Sequence, residues 1–157
     1  MVIVGIDPGF SGAVAIKDGS APPIVLDMPI LKDGKHQEID EVRLRTILAE
    51  YDADHVFLEK SQAMPGQGIS STARYMMSFG QVRGLCAGMK IPYTLVHPRT
   101  WKKAMMPDMP KEKQASIVRA LQLFPDIELP RKKDHGKADA LLLCVFGIRQ
   151  LSGKCEV

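Results

Sequence analysis

Cysteine is scarce in this chain and forms no pattern. Cys86, Cys144 and Cys155 are scattered, with no Cys-x-x-Cys among them. An odd set without framework spacing excludes a disulfide scaffold and fits a reducing compartment. Cys86 and Cys144 fall in predicted helices and read as small apolar fillers. Long apolar runs are also missing, and none approaches the ~20 residues that span a bilayer. The first residues form a strand, without the charged region and small-residue cleavage site of a secretory leader. The expectation is a soluble cytoplasmic protein with no membrane partner. There is no internal repeat, no low-complexity tract and no linker long enough to divide two domains. Charge of one sign is lacking too: 21 basic and 18 acidic residues leave a formal +3. The placement of the charges therefore says more than their sum.

What is present suits one globular domain spanning 1–157. Hydrophobic residues make up 45% of the 157, enough for one substantial core. Val2–Asp7 reads as a buried strand. Gly12–Lys17 follows, with Asp18-Gly19 as a hairpin signal, and Ile24–Met28 is a third strand. Residues 38–51 then change period, with Leu44, Ile47, Leu48 and Tyr51 on one helical face. His55–Glu59 is a fourth strand, and 61–69 is a polar loop without periodicity. Ser70 to about Lys90 reads as a long helix capped by Ser70 or Ser71. Tyr93–Val96 is a fifth strand. Helices follow near 98–105, over 111–123, and from about Lys137 to Gln150. Three strands in a meander, then alternating helices and strands, predict an α/β fold: a mixed five-stranded sheet flanked by helices.

Three acids stand in apolar settings. Asp7 closes Val2-Ile3-Val4-Gly5-Ile6, Glu59 ends Val56-Phe57-Leu58, and Asp139 opens Ala140-Leu141-Leu142-Leu143. Burying an unpaired charge is costly, so three such carboxylates on rigid elements point to one shared cation site. Asp7 and Glu59 become neighbours if the first and fourth strands pair in parallel. Two carboxylates ~5 Å apart repel by about 3 kcal/mol at an effective dielectric near 20, and a divalent cation reverses that sign. Mg²⁺ needs only one or two carboxylates per ion, so this set suffices for two ions and for phosphodiester hydrolysis. His135 lies four residues before Asp139, one helical turn away, and is the candidate fourth ligand or water-positioning group; Asp134 is its alternative.

Basic residues supply the complement. Arg99, Lys102, Lys103, Lys111 and Lys113 form one stretch, and Arg131-Lys132-Lys133 another. They are candidate phosphate contacts, giving affinity that falls with salt and carries little base information. Gln62, Met64 and Gln67, in the loop after Glu59, are candidates for entering the bound nucleic acid. Gly80, Gly84 and Gly88 recur every four residues on one helix face. Each costs about 1 kcal/mol against alanine, which suggests close approach of another backbone. Met76, Met77 and Met89 add adaptable apolar surface. The competing expectation is that this face packs on the sheet.

Four segments in order carry a family resemblance: Gly5-Ile6-Asp7-Pro8-Gly9, Leu58-Glu59, Phe79-Gly80-Gln81-Val82-Arg83-Gly84 and Ala138-Asp139-Ala140-Leu141. Together they resemble the RuvC family of Holliday-junction resolvases, in particular its short phage-type members, from residue 2 to about 150. The resemblance implies an RNase H-like fold, a homodimer, and Mg²⁺- or Mn²⁺-dependent nicking of a four-way DNA junction, a branched DNA. It implies catalytic and metal-binding roles for Asp7, Glu59, Asp139 and His135. It also implies a basic residue near the scissile phosphate. Lys102, after Trp101, stands where the family has a lysine after an apolar residue, and Lys111 or Lys113 stands near a second family lysine. The location implied is cytoplasmic: nucleoid-associated, or the host cytoplasm if the chain is phage-encoded. In many cellular members the fourth metal-site residue stands three positions before the last acid, and here that position is Gly136. Rival readings are an RNase H-type nuclease on other branched or hybrid nucleic acids, a noncatalytic junction-binding protein, and the actin and sugar-kinase superfamily, for which the chain is too short.

Overall fold

The computed structural model describes residues 1–60, 66, 68–110 and 112–153. The candidates Gln62, Met64, Gln67 and Lys111, together with Cys155, lie outside the described residues. Strands β1 (Val2–Asp7), β2 (Ala13–Asp18) and β3 (Ile24–Asp27) form the expected antiparallel meander. A hairpin, β4 (Ile30–Asp33) and β5 (His36–Ile39), comes next and makes its own two-stranded sheet. Helix α1 (Glu41–Glu50), β6 (His55–Glu59), α2 (Ile69–Gly88) and β7 (Tyr93–Val96) follow. The chain then adds α3 (Pro98–Met105), α4 (Ala115–Leu123), a 3-10 turn (Lys132–Asp134) and α5 (His135–Leu151). The main sheet has the order β3-β2-β1-β6-β7. β1 pairs in parallel with β6, from Ile3 opposite His55 to Ile6 opposite Leu58.

Alternation along the strands sorts the core into two layers. Val4, Ile6, Val14, Ile16, Val56 and Leu58 pack on Leu44, Ile47 and Leu48 of α1 and on Phe79, Val82 and Cys86 of α2. Ile3, Ala13, Ala15 and Phe57 face the other way, toward Trp101 of α3, Ala120 of α4 and the run Ala140–Cys144 of α5. Gly5, Ala13 and Ala15 are small residues on that second face, and α5 lies close against it. A Cβ on Gly5 would overlap the Ala140 carbonyl oxygen and the Cys144 backbone, and a Cβ on Gly136 would overlap the Ser11 carbonyl. The residue three before the last acid is therefore a packing contact.

Several expectations need correcting. The β4–β5 hairpin was missed, although Asp33-Gly34 marks its turn and Gly34 takes φ +57°. Residues 38 and 39 belong to β5, and α1 starts after Asp40, whose carboxylate accepts from the Arg43 amide at 2.8 Å. Helix α2 has Gly68 at its N-cap and no side-chain cap, so neither Ser70 nor Ser71 caps it. Helix α4 begins at Ala115, and Glu112, Lys113 and Gln114 just before it are exposed and offer no buried face. Helix α5 begins two residues early, at His135. Gly80, Gly84 and Gly88 are exposed, with no atom of the described chain near an added Cβ. The sheet-packed alternative for that face therefore fails, and the face of α2 that does pack on the sheet carries Ser78, Phe79, Val82 and Cys86. Met89 packs with the core, whereas Met76 and Met77 are exposed. Among the described residues, no helix is long and apolar enough to cross a membrane.

Because α5 rests on Gly5, a Gly5→Ala substitution is expected to lower unfolding free energy by about 2–3 kcal/mol through overpacking. Urea unfolding checks this, and an unchanged midpoint would show that α5 does not press on β1.

Candidate active site

Strand register creates the site. Asp7 and Glu59 are the next residues in line after the paired Ile6 and Leu58. Both have the parity of Gly5 and Phe57, so both point to the face covered by α3, α4 and α5. Helix α5 crosses that face at Gly5 and brings Asp139 and His135, one turn apart, to the end of β1. Helix α3 brings Trp101 and Lys102. The three acids lie within electrostatic reach of one another: Asp139 acts on Asp7, and both act on Glu59. Asp7, His135, Asp139, Lys102 and Lys113 line one cleft, with Met106 and Met109 on its wall. Glu59 is buried, only 8% exposed, within reach of the charges of Asp7, Asp139 and Lys102.

Each carboxylate has a distinct environment. Asp7 Oδ1 accepts from the Gly9 amide at 3.1 Å, closing the Asp-Pro-Gly turn. Burial pushes its pKa up to about 6; that amide and the nearby Lys102 and His135 pull down, while Asp139 adds to the rise. Glu59 is pushed up to about 7, first by burial and then by the charge of Asp7, against a hydrogen bond from Trp101. That bond runs from the indole N–H to Glu59 Oε2 at 2.7 Å. Asp139 Oδ2 lies 3.4 Å from Lys102 Nζ. The two sequence-adjacent residues of α3 thus serve two different acids, a link that no motif announced.

Among the described residues, no three His, Cys, Asp or Glu side chains are spaced to hold a metal ion as they stand. The acids have taken local partners: Glu59 the indole, Asp139 the lysine. Their chemistry still suits a cation. Burial raises the pKa of both Asp7 and Glu59, and the charge of Asp7 adds to the rise at Glu59; the set of oxygens plus one imidazole suits a hard divalent ion.

The basic candidates separate into groups. Lys102 and Lys113 reach the cleft. Arg99, Lys103 and Lys132 are exposed. Lys133 lines a different groove with Ser11, Lys32 and Gln37, which adds Lys32 of β4, outside both basic runs, to the candidate cations. Arg131 is otherwise engaged, which corrects its expected phosphate role. Its guanidinium donates to Asp27 and Asp134, and its amide donates to Asp134 Oδ2 at 2.7 Å. Asp134 is 1% exposed. Burial works to raise its pKa, but the Arg131 bonds prevail and hold it low. This clamp ties the end of β3 to the start of α5, and it keeps Asp134 off the cleft wall that His135 occupies.

No protein-family model matches the chain. The chloroplastic Holliday junction resolvase MOC1 of Chlamydomonas reinhardtii is 33% identical over 94 residues, which is 59% of this chain but 11% of that relative's length. The structure of Thermus thermophilus RuvC superposes with a TM-score of 0.66 at 18% identity, covering 98% of both chains. T. thermophilus RuvC in complex with a Holliday junction substrate gives 0.65 at 16% identity, over 98% of this chain and 97% of that one. The yeast mitochondrial Holliday junction resolvase Ydc2 gives 0.55 at 15%, over 96% and 78%. The chain therefore has the RuvC fold, the RNase H-like sheet with flanking helices that the sequence led us to expect.

The raised acids set a pH dependence. Unfolded carboxyls titrate near 4, so between about pH 4 and 7 the folded metal-free protein binds more protons than the unfolded chain. Its stability is therefore expected to fall as pH rises through this window. Asp7→Asn should remove one share of that loss and raise stability at pH 8 by about 2 kcal/mol. Urea unfolding at pH 4.5 and pH 8 in EDTA decides it, and a variant less stable than the parent at pH 8 contradicts the burial argument.

Proposed function

We propose that this chain is a divalent-metal-dependent endonuclease that resolves four-way DNA junctions. One observation carries the reading: parallel β1 and β6 set Asp7 and Glu59 side by side beneath a helix that supplies Asp139 and His135. The RuvC fold and the MOC1 likeness support it. Asp7, Glu59, Asp139 and His135 would hold Mg²⁺ or Mn²⁺, two ions per site. Bound there, the ions supply Lewis acidity toward the phosphoryl oxygens and acidify a water.

The chain's own groups do the rest. Lys102 leaves Asp139 for a phosphate oxygen when DNA enters, offsetting the charge that develops there. Lys113 holds the same strand from the other side of the cleft. His135, at the first turn of α5 and on the wall of the cleft, joins the carboxylates as a metal ligand. Arg99, Lys103, Lys132, Lys133 and Lys32 grip flanking phosphates, making affinity strongly salt-dependent. A junction has two strands to cut, which calls for two sites. The exposed glycine face of α2, with Met76 and Met77, is the surface we assign to a second copy. The location that goes with this activity is on DNA in the cytoplasm of a cell or of a phage host.

The test is cleavage of a panel comprising a four-way junction, a flap, an RNA–DNA hybrid and linear duplex, in Mg²⁺, Mn²⁺ or EDTA. Paired nicks in the junction, lost in EDTA and reduced by at least about 10³-fold in Glu59→Gln, are expected. Preferential cutting of the hybrid would favour an RNase H activity, and tight junction binding without cleavage would leave a noncatalytic binder. Replacing Gly84 by Leu is expected to shift the protein from dimer to monomer in light scattering and to uncouple the two nicks. A parent protein that is already monomeric at micromolar concentration contradicts the α2 interface.

A further inference from the structure

Trp101 is wholly buried, and its indole N–H points at one oxygen of a carboxylate in the acid cluster. Indole is a donor only, and it is neutral. It therefore orients a carboxylate without competing for the charge that a cation needs. Among the described residues it is the sole hydrogen-bond partner of the Glu59 side chain, and it engages Oε2. Met105, one turn further along α3, is buried in the same core layer, so the indole cannot swing away without opening the core. Lys102, the next residue, points to Asp139 instead.

We propose that Trp101 is a positioning residue that fixes Glu59 as a one-oxygen ligand. Holding Oε2 leaves Oε1 as the oxygen without a hydrogen-bond partner among the described residues, and it prevents both oxygens from closing on one ion. The inference rests on the metal-dependent reading above and deepens it. It also makes the indole a reporter, because a cation arriving on Glu59 changes the charge at the far end of the N–H bond.

Trp101 is the only tryptophan in the chain, so biosynthetic replacement of tryptophan alters one site. Benzothienylalanine, with sulfur in place of the ring N–H, keeps the shape and removes the donor. Calorimetric titration with Mn²⁺ is expected to show about tenfold weaker binding in the replaced protein, the scale of losing a hydrogen bond behind a metal ligand. In the unmodified protein, Mg²⁺ should shift indole emission with the calorimetric midpoint, and Glu59→Gln should abolish that shift. Equal Mn²⁺ affinity in the two proteins overturns the positioning role and leaves the metal-dependent reading standing. An unmodified protein that binds neither ion overturns both. If the replaced protein does not fold, the emission titration decides: Mg²⁺ that binds without moving the emission sinks the proposal.

Discussion

Two like charges placed side by side in a protein interior organise this molecule. Parallel pairing of β1 with β6 leaves Asp7 and Glu59 adjacent at the strand ends, with the parity that faces the helical layer. Burial is the main cost of ionising each; the charge of Asp7 adds to that cost at Glu59, and the charge of Asp139 adds to it at both. Such a pair needs positive charge, hydrogen-bond donors or protons. The surrounding elements supply the first two: an amide from the Pro-Gly turn, an indole, and an ammonium one helical position further on.

Close packing makes that arrangement possible. Helix α5 reaches the acids because Gly5, Ala13 and Ala15 leave room on one face of the sheet, and because Gly136 lets its first turn lie on the Ser11 carbonyl. The Arg131 clamp then ties the entry of the helix to β3. Substitution at Gly5 would thus disturb chemistry through a distance: moving the helix moves Asp139 and His135 away from Asp7. Stability and function share the same contacts here, as expected where a strained charge cluster is carried by an otherwise well-packed core.

Much of this was legible beforehand. The five main strands were visible from apolar runs, because buried strands of a mixed sheet read that way. The acids were visible because a carboxylate at the end of such a run has no solvated excuse. The His135–Asp139 pair followed from helical spacing. The hairpin at 30–39 was not read, since its residues are mostly exposed and it lacks a buried run. The glycines of α2 were read as a contact face without a known partner, and the folded chain leaves that face open. Arg131 looked like any other cation in a basic run, because nothing local shows that Asp27, far away in sequence, waits to pair with it.

The sequence by itself determined which residues are apolar, the five strands of the main sheet and the helices between and after them, and that three carboxylates stand at the ends of apolar segments. These are properties of local period and composition. Only the tertiary structure decided who answers those charges. Trp101 on Glu59, Lys102 on Asp139 and Arg131 on Asp27 depend on which face α3 and α5 cover and how closely they approach. That distance is set by side-chain volume on the opposing strands, a long-range quantity that no local pattern encodes.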